Sequence, residues 1–256
     1  MPKLFEEHSC SCLSFITCQG TTEPVRVDQL RRAREPVSRS KSGVQGKVAD
    51  VFHGRSRHAE SQNELNAFRI LLATARVDAW QEQPFVLDYH HKGAKRRYTP
   101  DILVIWGAHK EVVEVKDDAE ADLPENQERF ALIRGLLAGH GYYFRIWKRS
   151  EICAEPRLTN ANLVLRYRCV TVSPSEREQL RRMFSSTSQL HLRTLAEIQA
   201  PVQTVLRLVF DGTLYINWWE RLGLDSKVSI EPIGPQIWPV PPLTGKSISL
   251  SETGCR

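Results

Sequence analysis

The sequence predicts an α/β protein: a mixed sheet flanked by helices, followed by a small α+β unit. Three observations carry this expectation. Residues 101–117 read as two short apolar strands, DILVIW and EVVEVKD, around a polar turn from Gly107 to Lys110. Residues 125–139 then read as a helix and residues 141–152 as a returning strand, so a crossover connects neighbouring strands of one sheet. After residue 170 the pattern changes to three short helical segments and one strand.

The elements follow in order. Residues 1–30 form a leader expected to be poorly ordered, and residues 31–170 form the main domain. Between residues 31 and 58, Arg31, Arg32, Arg34, Arg39, Lys41, Lys47, Arg55 and Arg57 face only Glu35 and Asp50. A basic, Ser- and Gly-containing arm of this kind tracks phosphate backbone, or else merely solubilises the chain. The stretch AESQNELNAFRILLATA is an amphipathic helix with Leu65, Phe68, Leu71, Leu72 and Ala75 on its apolar stripe. QEQPFVLDYHH, rich in aromatic and branched residues, is a strand expected to pair into the main sheet. Asp122 and Pro124 open the next helix, and Gly139 to Gly141 end it.

In the second unit, residues 171–230, PSEREQLRRMF is a helix capped by Ser173. LHLRTLAEI is a second helix, and PVQTVLRLVFDG a third, started by Pro201 and stopped by Gly212. TLYINWW follows as a strand. This order resembles a winged helix-turn-helix, but its third helix is mostly apolar and carries one Arg. A recognition helix needs more polar side chains, so protein docking or weak phosphate contact is the better expectation. Residues 231–256 form a Pro-rich, extended tail.

Composition limits the classes of function. The chain has 256 residues, a net charge of +5 and 41% hydrophobic residues, ordinary values for a globular protein. It has no run of eighteen apolar residues, and its first ten residues lack a signal-peptide pattern, so a cytoplasmic protein is expected. Cys10, Cys12, Cys18, Cys153, Cys169 and Cys255 show no paired C-x-x-C spacing, so free thiols are expected rather than a zinc site.

The chemistry concentrates in residues 98–116. Side chains alternate across a strand, so Glu114 and Lys116 share one face while Val113 and Val115 share the other. Twelve residues separate Asp101 from Glu114, a hairpin length that sets the two carboxylates side by side. Two hard oxygen donors suit Mg²⁺ or Mn²⁺, and the lysine can neutralise charge at a reacting phosphate. Glu64 lies on or beside the buried stripe of the upstream helix, four residues before Phe68. A carboxylate there is costly unless it is paired, binds a metal or reaches out to water.

Helix-Glu64, strand Pro100-Asp101, strand Glu114-Val115-Lys116 and a following helix together resemble the PD-(D/E)xK nuclease core, a restriction-endonuclease-like fold. RSKSGVQGKVADVF, QEQPFVLDY and KRRYTPD, taken in order around that core, resemble TnsA, the endonuclease subunit of heteromeric, Tn-seven-like transposases. The resemblance spans roughly residues 36–150 and continues more loosely to about residue 230. It implies a DNA endonuclease that cuts the 5′ strands at transposon ends. Its implied partners are a transposase subunit resembling TnsB, which cuts and joins the 3′ ends, and an AAA+ ATPase resembling TnsC. It further implies that Glu64, Asp101 and Glu114, with the Val115 carbonyl, hold Mg²⁺, for which Mn²⁺ can substitute. Lys116 then positions the attacking water. Two alternatives stay open: a stand-alone restriction- or repair-type nuclease, and a non-catalytic DNA-binding scaffold.

Overall fold

The computed structural model describes residues 14–16, 46–50, 54–74, 77–197, 200–235 and 237. Most of the basic arm and nearly all of the Pro-rich tail, including Trp238, lie outside them, as do Cys10, Cys12, Cys18 and Cys255.

Strand β1 (Ser14–Ile16) is followed by a hairpin of β2 (Gly46–Asp50) and β3 (Arg55–Ala59). Helix α1 (Gln62–Leu72) starts at Ser61, whose side chain accepts from the Glu64 N–H. Then come β4 (Ala79–Glu82), β5 (Val86–His91), β6 (Ala94–Tyr98), β7 (Ile102–Trp106) and β8 (His109–Lys116). Helices α2 (Asp118–Ala121) and α3 (Pro124–Ala138) lead to β9 (Tyr143–Lys148). The remainder comprises α4 (Arg149–Ile152), α5 (Arg157–Arg166), α6 (Pro174–Met183), β10 (Gln189–His191), α7 (Leu192–Glu197), α8 (Val202–Phe210), β11 (Tyr215–Ile216) and β12 (Lys227–Ser229).

The central sheet has the order β4-β7-β8-β9. Its first two pairings are antiparallel and the last is parallel, so the expected mixed sheet and its crossover through α3 are present. The hairpin turn is tighter than the sequence implies. Trp106 pairs with His109, leaving a two-residue loop whose first position, Gly107, has φ +54°. A two-residue hairpin loop needs a positive φ there, which glycine adopts without strain.

Alternation sorts the sheet's side chains onto two apolar layers. Ile102, Val104, Val113 and Val115 pack with Phe68, Leu71 and Leu72 of α1. Leu103, Ile105 and Val112 pack with Ile133 and Leu137 of α3 and with Leu87 and Tyr98 of β5 and β6. A strand covered on both faces reads as a continuous apolar run, which is why ILVI carries no alternation of its own. The first layer continues through Val164 of α5 and Leu180 of α6 to Leu206 and Phe210 of α8 and Val228 of β12.

Several expectations need correction. QEQPFVLDYHH is not one strand in the main sheet. It breaks at Gln83 (φ +43°): Gln81 and Glu82 pair with β7, while residues 86–91 join β1 and β6 in a separate sheet. LHLRTLAEI begins as a strand, since residues 189–191 pair with β12 before α7 starts. Asp122 ends α2 instead of opening α3. Helix α8 buries Thr204, Val205, Leu206, Leu208, Val209 and Phe210 within the chain, so it is neither a recognition helix nor an exposed docking face. The helices α6, α7 and α8 accompany a three-stranded antiparallel sheet, β10-β12-β11.

The hairpin β2–β3 also revises the basic arm. Arg57 has no exposed surface: it meets Asp50 at 2.7 Å and Glu82 at 3.0 Å, donates to Gln81, and lies 4.3 Å above the Trp80 ring. A guanidinium so placed neutralises buried carboxylates and cannot track phosphates.

Candidate active site

Strand β6 ends at Tyr98, and Thr99-Pro100 turns the chain into β7 with Asp101 just ahead of it. The Asp101 carbonyl accepts from the Gln83 N–H at 2.8 Å, which extends the β4–β7 ladder to this residue. Because Ile102 pairs with Val113, Asp101 stands beside Glu114 on the neighbouring strand. Its Oδ2 accepts from the Val115 N–H at 2.7 Å, fixing the carboxylate across the hairpin. The juxtaposition expected from the twelve-residue spacing is therefore present.

Glu114 is 4% exposed. Its Oε2 accepts from the Tyr98 hydroxyl at 2.6 Å, and its Oε1 lies 3.2 Å from the Lys116 Nζ. Tyr98, three positions before Asp101 in the KRRYTPD run, thus joins the cluster through a hydrogen bond that the sequence does not specify. Burial, followed by the charges of Glu114 and Asp101, pushes the Tyr98 hydroxyl well above its usual pKa, so it stays a donor.

Glu64 sits in the first turn of α1, where its Oε1 accepts from the Ser61 hydroxyl and its Oε2 from the Glu60 N–H. It contributes to the helix N-terminus and also stands within electrostatic reach of Asp101. Gln127 donates to the Ala121 carbonyl and so ties α3 to α2.

The electrostatics are lopsided. Asp101 retains a little solvent access, but protein surrounds its carboxyl densely. Burial first, then the charges of Glu114 and Glu64, push its pKa well above the usual carboxylate range, against the opposing Val115 N–H and Lys116. Burial disfavours the Lys116 ammonium, yet Glu114 and Asp101 outweigh it and raise its pKa. Lys116 is therefore a firmly charged ammonium beside an excess of carboxylates.

Among the described residues, no three His, Cys, Asp or Glu side chains are gathered closely enough to cage a metal by themselves. Mg²⁺ does not need such a cage, since it is typically held by one or two carboxylates plus waters and substrate phosphates. Asp101 and Glu114 fit that mode. Their mutual repulsion is what a divalent cation would relieve, and Glu64 is near enough to add to the field. No helix among the described residues is long and apolar enough to cross a membrane.

Residues 74–149 match the family model of the TnsA-like endonuclease N-terminal domain. Over this segment the chain is similar to that domain. The segment runs from the end of α1 to the end of β9 and contains Tyr98, Asp101, Glu114, Val115 and Lys116, while Glu64 precedes it. A comparison with curated proteins gives no match.

Proposed function

We propose that the chain is a metal-dependent DNA endonuclease of a TnsA-like transposition complex. One observation carries the reading: Asp101 set against buried Glu114 with Lys116 beside it, on the hairpin of a domain that matches the TnsA-like endonuclease model. Asp101 and Glu114 would hold Mg²⁺, with the Val115 carbonyl as a further ligand and Glu64 adding negative field nearby. When bound, Mg²⁺ or Mn²⁺ supplies Lewis acidity, making water a better nucleophile and neutralising charge at the scissile phosphate.

The chain's own residues do the rest. The Val115 N–H and the Tyr98 hydroxyl orient Asp101 and Glu114 before substrate arrives, so little reorganisation is left to the reaction. Lys116, held charged by Glu114 and Asp101, donates to a water or to a phosphate oxygen and offsets the negative charge that builds during hydrolysis. The attacking oxygen comes from water, the P–O bond to the leaving oxygen breaks, and no covalent protein–DNA intermediate forms.

By the same reading, this chain cuts the 5′ strands at transposon ends, while a TnsB-like transposase cuts and joins the 3′ ends under a TnsC-like ATPase. The burial of α8 supports dependence on partners, because it removes a candidate recognition helix from this chain. The test is cleavage of DNA carrying transposon ends by the purified chain, with and without its partners, in Mg²⁺. Partner-dependent nicking that is lost in Asp101→Ala and Glu114→Ala supports the proposal. Robust sequence-specific cutting by the lone chain points to a stand-alone nuclease, and full activity in either variant overturns the site.

A further inference from the structure

The β5–β6 hairpin runs directly into the candidate site, and its exposed charged side chains are basic. Residues 86–98 carry Lys92, Lys95, Arg96 and Arg97 against Asp88 alone. These cations differ in how far their charge is spent within the protein. Asp88 is 4% exposed, and Lys95 and Arg97 reach it at 3.1 and 3.0 Å, so one unit of their charge neutralises a buried carboxylate. Lys92 pairs with Glu128 of α3 at 2.8 Å.

Arg96 is different. It is exposed, and no ion-pair partner for it exists among the described residues. Alternation puts it on the face of β6 that carries Tyr98, opposite Tyr89 in the ladder. Two residues along a strand span about 7 Å, so the Arg96 backbone lies about that far from the backbone of Tyr98, whose hydroxyl meets Glu114. Arg129 of α3 is near enough for its charge to act on Tyr98. Its guanidinium lies 4.9 Å from the Phe130 ring, and its buried Nε has no hydrogen-bond partner among the described residues.

We infer that Arg96 and Arg129 form a phosphate-gripping surface that seats the backbone of duplex DNA against the Asp101–Glu114 pair. This rests on the nuclease reading for its orientation toward cleavage, and on the hairpin's charge for its affinity. Guanidinium groups suit the task because they present several donors in a plane to phosphate oxygens. The hairpin carries no Asn or Gln for reading adenine edges, so the surface contributes position and affinity more than sequence choice. It also places the DNA grip on a folded ribbon adjoining the site.

The experiment measures binding of the full chain to a short labelled duplex in EDTA, by anisotropy across a salt series. Every duplex phosphate that a protein cation neutralises adds about 0.9 to the steepness of the log–log salt dependence. Arg96→Ala and Arg129→Ala should each flatten the slope by about that amount and weaken binding several-fold. The double variant should show both decrements, and Arg96→Lys should keep the wild-type slope. Thermal melts identify any variant that fails to fold, and Arg96→Ala, on an exposed strand, should melt as wild type does. An unchanged slope in the folded Arg96→Ala variant overturns the surface, as does a wild-type chain that does not bind duplex. A wild-type chain that binds through Arg96 and Arg129 yet never cleaves leaves this surface standing and sinks the nuclease reading instead.

Discussion

Two buried ionic clusters lie on the central sheet, and they are built to opposite ends. At Arg57 one guanidinium serves Asp50 and Glu82, donates to Gln81 and stacks on Trp80. Every charge there has a close partner, so the cluster locks the β2–β3 hairpin to β4. At Asp101 and Glu114 the acids outnumber Lys116, and Asp101 is pushed well above its usual range by burial and by its acidic neighbours. Nothing within the fold gains from that repulsion. A carboxylate so perturbed beside a second acid is the kind of group that functional sites hold, and the proposed cation would relieve it.

The comparison can be broken most forcefully through activity. Asp101→Ala or Glu114→Ala should cut nicking by roughly 10³-fold or more while leaving the circular-dichroism spectrum unchanged. Arg57→Ala should do the reverse in kind, removing the closest cation from buried Asp50 and Glu82 and costing about 3–5 kcal/mol in denaturant unfolding. If Arg57→Ala were neutral for stability, the contrast between a structural and a functional cluster would fail.

A smaller effect sharpens the same contrast. Asp101→Asn should raise the melting temperature of the metal-free protein by a few degrees while abolishing nicking. The sign follows from the raised pKa. A carboxyl whose folded pKa exceeds its unfolded value stabilises the fold while protonated, and that contribution is lost as pH rises through the folded value. The metal-free wild type should therefore lose stability across that interval, and Asp101→Asn should lose less. The smallest change concerns Tyr98→Phe, which removes one hydrogen bond to a carboxylate, worth about 1.5–3 kcal/mol. It should lower activity by about tenfold and leave duplex binding in EDTA unaltered.

How much is legible in the sequence follows from how local each signal is. The hairpin of Asp101 and Glu114 can be read because alternation and loop length fix which side chains face each other. The crossover through residues 124–138 is readable for the same reason, since a helix between two strands forces it. Arg57 cannot be read: a single arginine in a basic run looks solvated until β4 brings Glu82 against it. The break at Gln83 is hidden inside an apolar stretch, where only a positive φ separates two sheets. Helix α8 looks apolar enough to dock a partner, yet the surface that covers it is supplied by α5 and by the chain's own first layer. Arg96 is two residues from Tyr98 in the sequence, but only the fold brings Arg129 near it.

The acidic excess at Asp101 and Glu114 is the proposed divalent-cation site. Thermal melting of the wild type, Asp101→Asn and Arg96→Ala over a Mg²⁺ or Mn²⁺ titration tests it most directly. The account predicts that cation raises the melting temperature of the wild type and of Arg96→Ala in parallel, more at neutral than at acidic pH, and leaves Asp101→Asn almost unmoved. An equal rise in Asp101→Asn, or no rise in the wild type at any pH, would contradict it.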